Sequence, residues 1–282
     1  MPQALKDYIT QAQDRLASCG IESPELDVSL LVQHVLGWTQ TKLFMNSDYI
    51  LGDDEVASLN IAISRRMGRE PVSRIIGHRG FWKSEFKISP QTLDPRPDSE
   101  TLIEAAVKLV QPAPKRVIDL GTGSGCLLLS LLQEWPEAEG VGLDLSAAAV
   151  ATAAENAAAL KLDERVKFMA TDWEAYAAQD GFDVVISNPP YITAEELTGL
   201  EPEVIQYDPM LALAGGDDGL DAYRSIVPLL KNLMPRGGWI VFEIGHTQAN
   251  SVKTMLAEAG GTMIQVFTDL GGSDRIVAAK MP

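Results

Sequence analysis

The sequence predicts an α/β protein in which a mostly parallel sheet with helices on both faces follows a small helical bundle. Three observations carry that prediction. From residue 116 to residue 279, strand-like and helix-like segments alternate regularly. The first of these strands runs directly into a glycine-rich turn and then a helix. Residues 1–75 show only helical spacing.

In chain order, Leu5, Tyr8, Ile9, Ala12 and Leu16 recur at helical spacing, and Gly20 stands where a C-terminal cap belongs. Ser23-Pro24 opens a second helix, serine as cap and proline in the first turn, with Leu26, Leu30, Leu31, Val35 and Leu36 as its apolar set. A third helix, from Asp53 to Met67, carries Val56, Leu59, Ala62 and Ile63 and ends near Gly68. With short links and no strand signal, these helices make a bundle expected to shape or cover a substrate site. Phe81 to Ile88 alternates, carries three aromatics and reads as a strand or hairpin. Pro95-Arg96-Pro97-Asp98-Ser99-Glu100 then leads into a helix from Thr101 to Val110, its acidic residues suited to a helix start, and Gln111-Pro112-Ala113-Pro114 ends it. The seven predicted strands are Arg116–Leu120, Val141–Leu145, Val166–Met169, Phe182–Ser187, Trp239–Glu243, a weaker Met263–Thr268 and Arg275–Ala279. Helices are expected over Gly125–Gln133, Ser146–Leu160, Leu220–Leu233 and Ala249–Ala259.

The chain has 282 residues, 46% hydrophobic and 22% charged, and a net charge of −16, so sequence-independent attraction to a phosphate backbone is not expected. Arg65, Arg66, Arg69, Arg74, His78 and Arg79 are the one basic cluster, read as the solvated face of a helix and its exit. Cys19 and Cys126 are the only cysteines, which excludes a disulfide scaffold and a cysteine-rich metal site, and no metal is expected. Met1 to Asp7 show no basic-then-apolar signal pattern, and no apolar run approaches the ~20 residues of a membrane span. The expected compartment is the cytoplasm, and nothing demands more than a monomer.

Two stretches carry chemistry. At the end of the fourth strand stands Ser187-Asn188-Pro189-Pro190-Tyr191. Prolines stop the strand and carry no N–H, while Asn188 offers a carbonyl oxygen, Pro189 a second one, and Tyr191 a stacking face. Two acceptors fix the plane of a flat –NH2 group, so Asn188, Pro189, Pro190 and Tyr191 are candidate substrate-binding residues. Asn188, Pro189 and Tyr191 are also the candidate catalytic residues. The plain reading is a strand-end turn.

The second stretch is Val117-Ile118-Asp119-Leu120-Gly121-Thr122-Gly123-Ser124-Gly125. A dinucleotide fingerprint would place glycine at position 126, where this chain has Cys126. The acid just ahead of the first glycine disfavours a pyrophosphate and suits a cationic ligand. Asp144, closing the second strand, can accept from both hydroxyls of a ribose, and Asp172-Trp173, ending the third, can bond and stack an adenine. Singly, Asp144 reads as a helix cap and Trp173 as core. Together, adenine, ribose and a cationic tail without phosphate describe S-adenosyl-L-methionine.

With these pieces assembled, the sequence resembles class I methyltransferases of planar amino groups and, more narrowly, the HemK/PrmC family. Members of that family methylate the side-chain amide of the glutamine in the Gly-Gly-Gln tripeptide of class 1 peptide-chain release factors. The resemblance covers nearly the whole chain and includes Gly80-Phe81-Trp82, Pro95-Arg96-Pro97, Leu211-Ala212-Leu213, Gly215-Gly216-Asp217-Asp218-Gly219-Leu220 and Glu243-Ile244-Gly245. Asp98-Ser99-Glu100 departs from the family's usual acid-Thr-Glu, and Asp208-Pro209 from its usual Glu-Pro.

The resemblance implies a Rossmann-like, seven-stranded S-adenosyl-L-methionine-dependent methyltransferase domain over 95–282. It implies a helical substrate-recognition domain over 1–75 and a β-hairpin connector over 76–94. The cofactor, leaving as S-adenosyl-L-homocysteine, would be held by Asp119, Gly121, Thr122, Gly123, Ser124, Gly125, Asp144, Asp172, Trp173 and Asn188. Asp119 is placed either near the methionyl ammonium or as a support for the glycine loop, and Glu243 is expected to be structural. The expected partners are class 1 release factors, with no nucleic acid and no membrane. The fourth-strand motif alone is shared with DNA adenine and some RNA guanine methyltransferases, so nucleic-acid amino methylation is the alternative. The N-terminal domain and hairpin make the narrower match specific.

Overall fold

A computed structural model describes residues 3–177 and 181–282. The chain divides into two units, Met1–Gly77 with Glu201–Tyr207, and His78–Leu200 with Asp208–Pro282.

In the first unit, β1 (Gln3–Ala4) leads into α1 (Leu5–Ser18), α2 (Pro24–Leu36) and α3 (Gln40–Met45), and β2 (Ile50–Leu51) precedes α4 (Asp53–Met67) and α5 (Val72–Ile76). The antiparallel β1–β2 pair departs from the all-helical expectation; two-residue strands are too short to show an alternation. α1 buries Leu5, Tyr8, Ala12 and Leu16, the stripe visible in the sequence. α2 turns a different face inward. Val28, Leu31 and Val32 are fully buried, whereas Leu26 and Leu30 are 60% and 37% exposed. The basic cluster also differs from a solvated face. Arg66 Nε donates to Asp27 at 2.7 Å, Arg66 Nη1 and Arg69 Nε reach Glu203 at 3.3 and 2.9 Å, and Arg65 pairs with Glu70. Arg66, Asp27 and Glu203 are mostly buried, so these cations serve the unit's own carboxylates.

The second unit begins with the hairpin β3 (His78–Phe81) and β4 (Ser84–Lys87), turning at Trp82-Lys83. A 3-10 turn, Pro97–Ser99, runs into α6 (Glu100–Leu109). The alternating part follows as β5 (Arg116–Leu120), α7 (Cys126–Glu134), β6 (Glu139–Asp144), α8 (Ala147–Ala159), β7 (Val166–Ala170) and β8 (Val184–Ser187). Then come α9 (Ala194–Leu197), α10 (Pro202–Tyr207, within the first unit), α11 (Asp221–Ile226), α12 (Leu230–Leu233), β9 (Gly238–Glu243), α13 (Ala249–Glu258), β10 (Thr262–Thr268) and β11 (Asp274–Met281). The single helix expected over Leu220–Leu233 is divided by a 3-10 turn at Val227–Leu229, where Pro228 lacks the N–H that a continuous helix needs.

The sheet has the order β10-β11-β9-β8-β5-β6-β7. β7, β6, β5, β8 and β9 are parallel, and β11 lies antiparallel between β9 and β10. The chain moves outward from β5 to β7, then returns to the other side of β5. A crevice therefore opens beyond the carboxyl ends of β5 and β8, where ligands of such sheets bind. Strand alternation decides what points into it. Val117, Val184, Ile186 and Val241 fill the core beneath α6 and α7, and Ile118, Val185, Ile240 and Phe242 fill the opposite face. Continuing in steps of two carries the first set to Asp119, Asn188 and Glu243. No helix among the described residues is long and apolar enough to cross a membrane.

Gly142 on β6 supports the crevice floor from below. A Cβ there would come within 2.5 Å of the Phe168 ring and 2.8 Å of Thr122 Oγ1. Gly142→Ala is expected to destabilise the second unit by about 1–3 kcal/mol, the cost of overpacking, measured as a lower urea midpoint with an unchanged slope.

Candidate functional site

β5 ends in a loop whose glycines, Gly121, Gly123 and Gly125, all take positive φ. The loop spends its amides on itself and on β6. Gly121 and Thr122 N–H both donate to the Leu143 carbonyl at 2.9 Å, and Gly125 N–H to Thr122 O at 2.8 Å. Gly123 N–H donates to Asp144 Oδ2 at 2.9 Å. A phosphate-binding loop would aim these N–H groups at its ligand; here four are taken. Asp144, half-buried, also accepts from Ser146 N–H at 2.8 Å and keeps lone pairs free toward the crevice. From α8, the buried Asn156 donates to the Ser124 carbonyl at 2.8 Å and to Lys87 O on β4 at 3.0 Å, which clamps the loop to the hairpin.

Asp119 is fully buried beneath the loop. Thr122 Oγ1 donates to its Oδ2 at 2.7 Å, and its Oδ1 has no partner among the described residues. Burial pushes this carboxyl up to about 7, the Thr122 hydroxyl pulling the other way and Asp144 adding repulsion. Cys126, at the start of α7, is buried, and its thiol is pushed up to about 12.

The turn after β8 is held on two sides. Ile192 N–H donates to Leu213 O, and Gly215 N–H to Ile192 O. Gln248 Nε2 donates to Tyr191 O at 2.9 Å and to Gly219 O at 3.2 Å. Gly215 lies so close to the turn that a Cβ would sit 2.7 Å from Tyr191 Cα. Within the turn, Asn188 Nδ2 donates to Ser99 Oγ at 3.4 Å. Tyr191 turns its hydroxyl to Glu243 Oε1 at 3.3 Å, with Arg275 Nη1 donating to that hydroxyl at 3.5 Å. Burial, then the neighbouring Glu243 charge, raises the Tyr191 pKa above the ordinary phenol value. Burial likewise pushes Glu243 up to about 7, opposed by the Ser99 hydroxyl, the Arg275 guanidinium and the Tyr191 hydroxyl.

A cavity of about 630 Å³ occupies the crevice. Gly121, Thr122, Gly123, Ser124, Asp144, Trp173, Asn188 and Pro190 line it. Asp119 and Gly125 lie behind the wall, and so do Pro189 and Tyr191. Tyr191, expected to offer a stacking face, instead packs its ring against the core, because its hydroxyl is drawn to Glu243 and Arg275. Asp172 is exposed and accepts from Glu174 N–H, while Trp173 reaches the cavity and donates through Nε1 to Ser225 at 3.0 Å. The cavity also uses Leu145, which no motif singled out, and Ser99, Pro209 and Leu211, which the sequence offered only within the segments quoted for the resemblance. Arg96 is another, and its Nη2 donates to the buried Asp208 at 2.8 Å, joining the Pro95-Arg96-Pro97 and Asp208-Pro209 segments in one wall. A larger groove of about 1070 Å³ is lined by Met234, Met255 and Met281. Met281 pairs with Gly238, so that groove lies at the amino end of β9, away from the crevice.

Residues 7–77 match the PrmC N-terminal domain and residues 91–206 the methyltransferase small domain. A release factor glutamine methyltransferase of Rhodospirillum rubrum is 43% identical over 266 residues, 94% of this chain and 82% of that protein. The chain belongs to the release factor glutamine methyltransferase family. A second member, from Caulobacter vibrioides, is 40% identical over 269 residues, covering 95% of this chain and 93% of its own. Over part of its length the chain also shares its fold with the catalytic domain of hMettl16, solved with the MAT2A 3'UTR hairpin 6. That match has a TM-score of 0.56 and 17% identity, and covers 69% of this chain and 74% of the other. In this member of the family, the seven-stranded methyltransferase fold brings the glycine loop and the Asn-Pro-Pro-Tyr turn to one cavity.

Asp119 makes a testable stability statement. Its ordinary value is 3.8 and its folded value about 7. Between these values the folded state retains a proton that the unfolded state has released, so stability falls as pH rises through the window. Asp119→Asn is expected to lose that part of the pH dependence and to be more stable than the wild type at pH 8 in the absence of ligand. Urea midpoints at pH 5 and pH 8 check this, and equal pH dependence in both proteins would refute it.

Proposed function

We propose that the chain transfers a methyl group from S-adenosyl-L-methionine to the side-chain amide nitrogen of the glutamine in the Gly-Gly-Gln motif of class 1 release factors, supporting translation termination. The observation that carries this reading is the Asn188 amide on the wall of the cavity that the glycine loop also lines, its own NH2 spent on Ser99 and its carbonyl oxygen left to accept.

The residues present fit the cofactor. Asp119 Oδ1, buried and without a partner, suits an ammonium, and a cation beside it would restore its charge. Asp144 has lone pairs for ribose hydroxyls, Gly121, Thr122, Gly123, Ser124 and Gly125 form the loop beneath, and Trp173 offers its indole to adenine. Asp172, off the cavity wall, is left out of the adenine contact. Bound there, the cofactor supplies an electrophilic methyl group.

The chain's own residues do the rest. A carboxamide nitrogen is a feeble nucleophile because its lone pair is delocalised, so holding it dry and oriented is the main task. Asn188 Oδ1 and the Pro189 carbonyl would take its two N–H bonds, and orientation of this kind is worth on the order of 7–11 kcal/mol at best. The same oxygens stabilise positive charge developing on nitrogen. No strong base is needed, since an N-methylated, charged amide loses a proton to water. Tyr191, anchored at Glu243, would hold the turn rather than stack on the substrate. We assign recognition of the protein substrate to the helical unit. Its arginines, paired with Asp27, Glu70 and Glu203, do not favour the nucleic-acid alternative.

The test is methyl transfer from labelled cofactor to a release factor, to its Gln→Ala tripeptide variant, and to duplex DNA and ribosomal RNA. Label on the wild-type factor alone is expected; label on nucleic acid with the factor untouched would overturn the reading. Asn188→Ala should lower kcat by about 100-fold, as loss of one preorganised contact does, with cofactor affinity nearly unchanged. Equal loss of both would remove Asn188 from the proposed role.

A further inference from the structure

An indole serves as a stacking platform only when its ring is held in one plane, and Trp173 stands on a loop that fixes little beyond its backbone. After β7, Thr171 N–H donates to Asp144 O at 2.9 Å and Glu174 N–H to Asp172 Oδ1 at 2.9 Å, while Asp172, Glu174 and Ala175 are exposed. The χ2 torsion of tryptophan is broad and roughly two-fold, so packing against one side does not separate the ring from its flipped image. The N–H on one edge does. It is the ring's only polar group, and a donor only.

That edge is caught by α11. Trp173 Nε1 donates to Ser225 Oγ at 3.0 Å. Ser225 in turn donates its single proton to the Ala222 carbonyl, one turn back, at 2.9 Å, so it offers the indole lone pairs alone. On the opposite edge, Cζ3 meets the glycine loop: a Cβ on Gly121 would lie 3.8 Å from it, ordinary van der Waals contact. The ring thus spans from the loop after β5 to α11, and both line the cavity. A flipped ring would lose the bond to Ser225.

α11 is a firm anchor. Ala222, Tyr223 and Ile226 are buried, and the Tyr223 hydroxyl donates to the Glu243 carbonyl at the end of β9 at 2.7 Å. The Tyr223 ring also meets Phe242 edge-on, with centroids 5.4 Å apart. The rigidity of the sheet therefore reaches the indole through Tyr223 and Ser225.

On the methyl-transfer reading above, on which this depends, we infer that Ser225 is a positioning residue that fixes the Trp173 indole in the plane on which the adenine of the cofactor stacks. Ser225 then acts on affinity by preorganisation. Without its hydroxyl the indole divides among orientations, and the ligand binds only the competent fraction. The loss should be the same for every ligand that carries the adenosyl group, and should vanish when the ring at position 173 has no N–H to hold.

The experiment measures the Kd of S-adenosyl-L-homocysteine by calorimetry, and of adenosine by its displacement. The proteins are wild type, Ser225→Ala, Ser225→Thr, Trp173→Phe and the double variant Ser225→Ala with Trp173→Phe. Expected for Ser225→Ala is about fivefold weaker binding of both ligands, within the worth of one hydrogen bond. Ser225→Thr, whose hydroxyl can bond the same carbonyl, should recover most of that affinity. On the Trp173→Phe background, Ser225→Ala should cost nothing further, the mark of one shared interaction. Unchanged affinity in Ser225→Ala, loss for one ligand alone, a threonine variant as weak as the alanine variant, or equal loss on both backgrounds would each overturn the inference. A wild type that fails to bind S-adenosyl-L-homocysteine would instead overturn the methyl-transfer reading, and the inference with it.

Discussion

Side chains alternate along a β-strand, and in this protein the alternation that fills the core also sets the chemistry. Val117 and Val241 bury themselves on one face, and two residues further on the same face receives Asp119 and Glu243. Ile186 does the same for Asn188. A shift of one residue in β5 or β9 would send its carboxyl to the opposite side and an apolar neighbour, Ile118 or Leu120 in β5 and Phe242 or Ile244 in β9, into the crevice. The parallel register that prevents this is backed by strands with almost no exposure: β8 and β9 are buried along their whole length. Hydrophobic burial, at roughly 1.5–3 kcal/mol for each such side chain, is what keeps two costly buried carboxyl groups in place.

Around this frame, side-chain amides do the joining. Asn156 bonds the glycine loop to the hairpin, Gln248 bonds the Asn-Pro-Pro-Tyr turn to the Gly215–Gly219 segment, and Asn188 bonds that turn to Ser99. An amide both donates and accepts without carrying charge, so it can bracket two backbone segments in a buried place at little desolvation cost.

Much of this was legible in the sequence. Strand–helix alternation and the glycine turn give the sheet and its crevice because both rest on local patterns. Other features were not, for physical reasons. α2 is apolar on more than one side, and leucine content favoured Leu26 and Leu30 over the smaller Val28 and Val32, which the core fits better. Asn156 sits in an alanine-rich helix whose composition advertises only helix stability. The arginine cluster reads as a solvated face until Asp27 and Glu203, distant in sequence, are brought to it. Tyr191 depends on Glu243, and Asn188 on Ser99, contacts that no spacing rule contains.

The short stretch Glu201–Tyr207 belongs to the helical unit although the chain has already entered the sheet domain and returns to it at Asp208. The polypeptide thus passes between the units three times rather than once. No single cut liberates an intact helical module: a piece ending at Gly77 would leave Arg66 and Arg69 without Glu203, and Gly68 without the Tyr207 hydroxyl. Recombination that shuffles domains as beads on a string could not transplant this one whole.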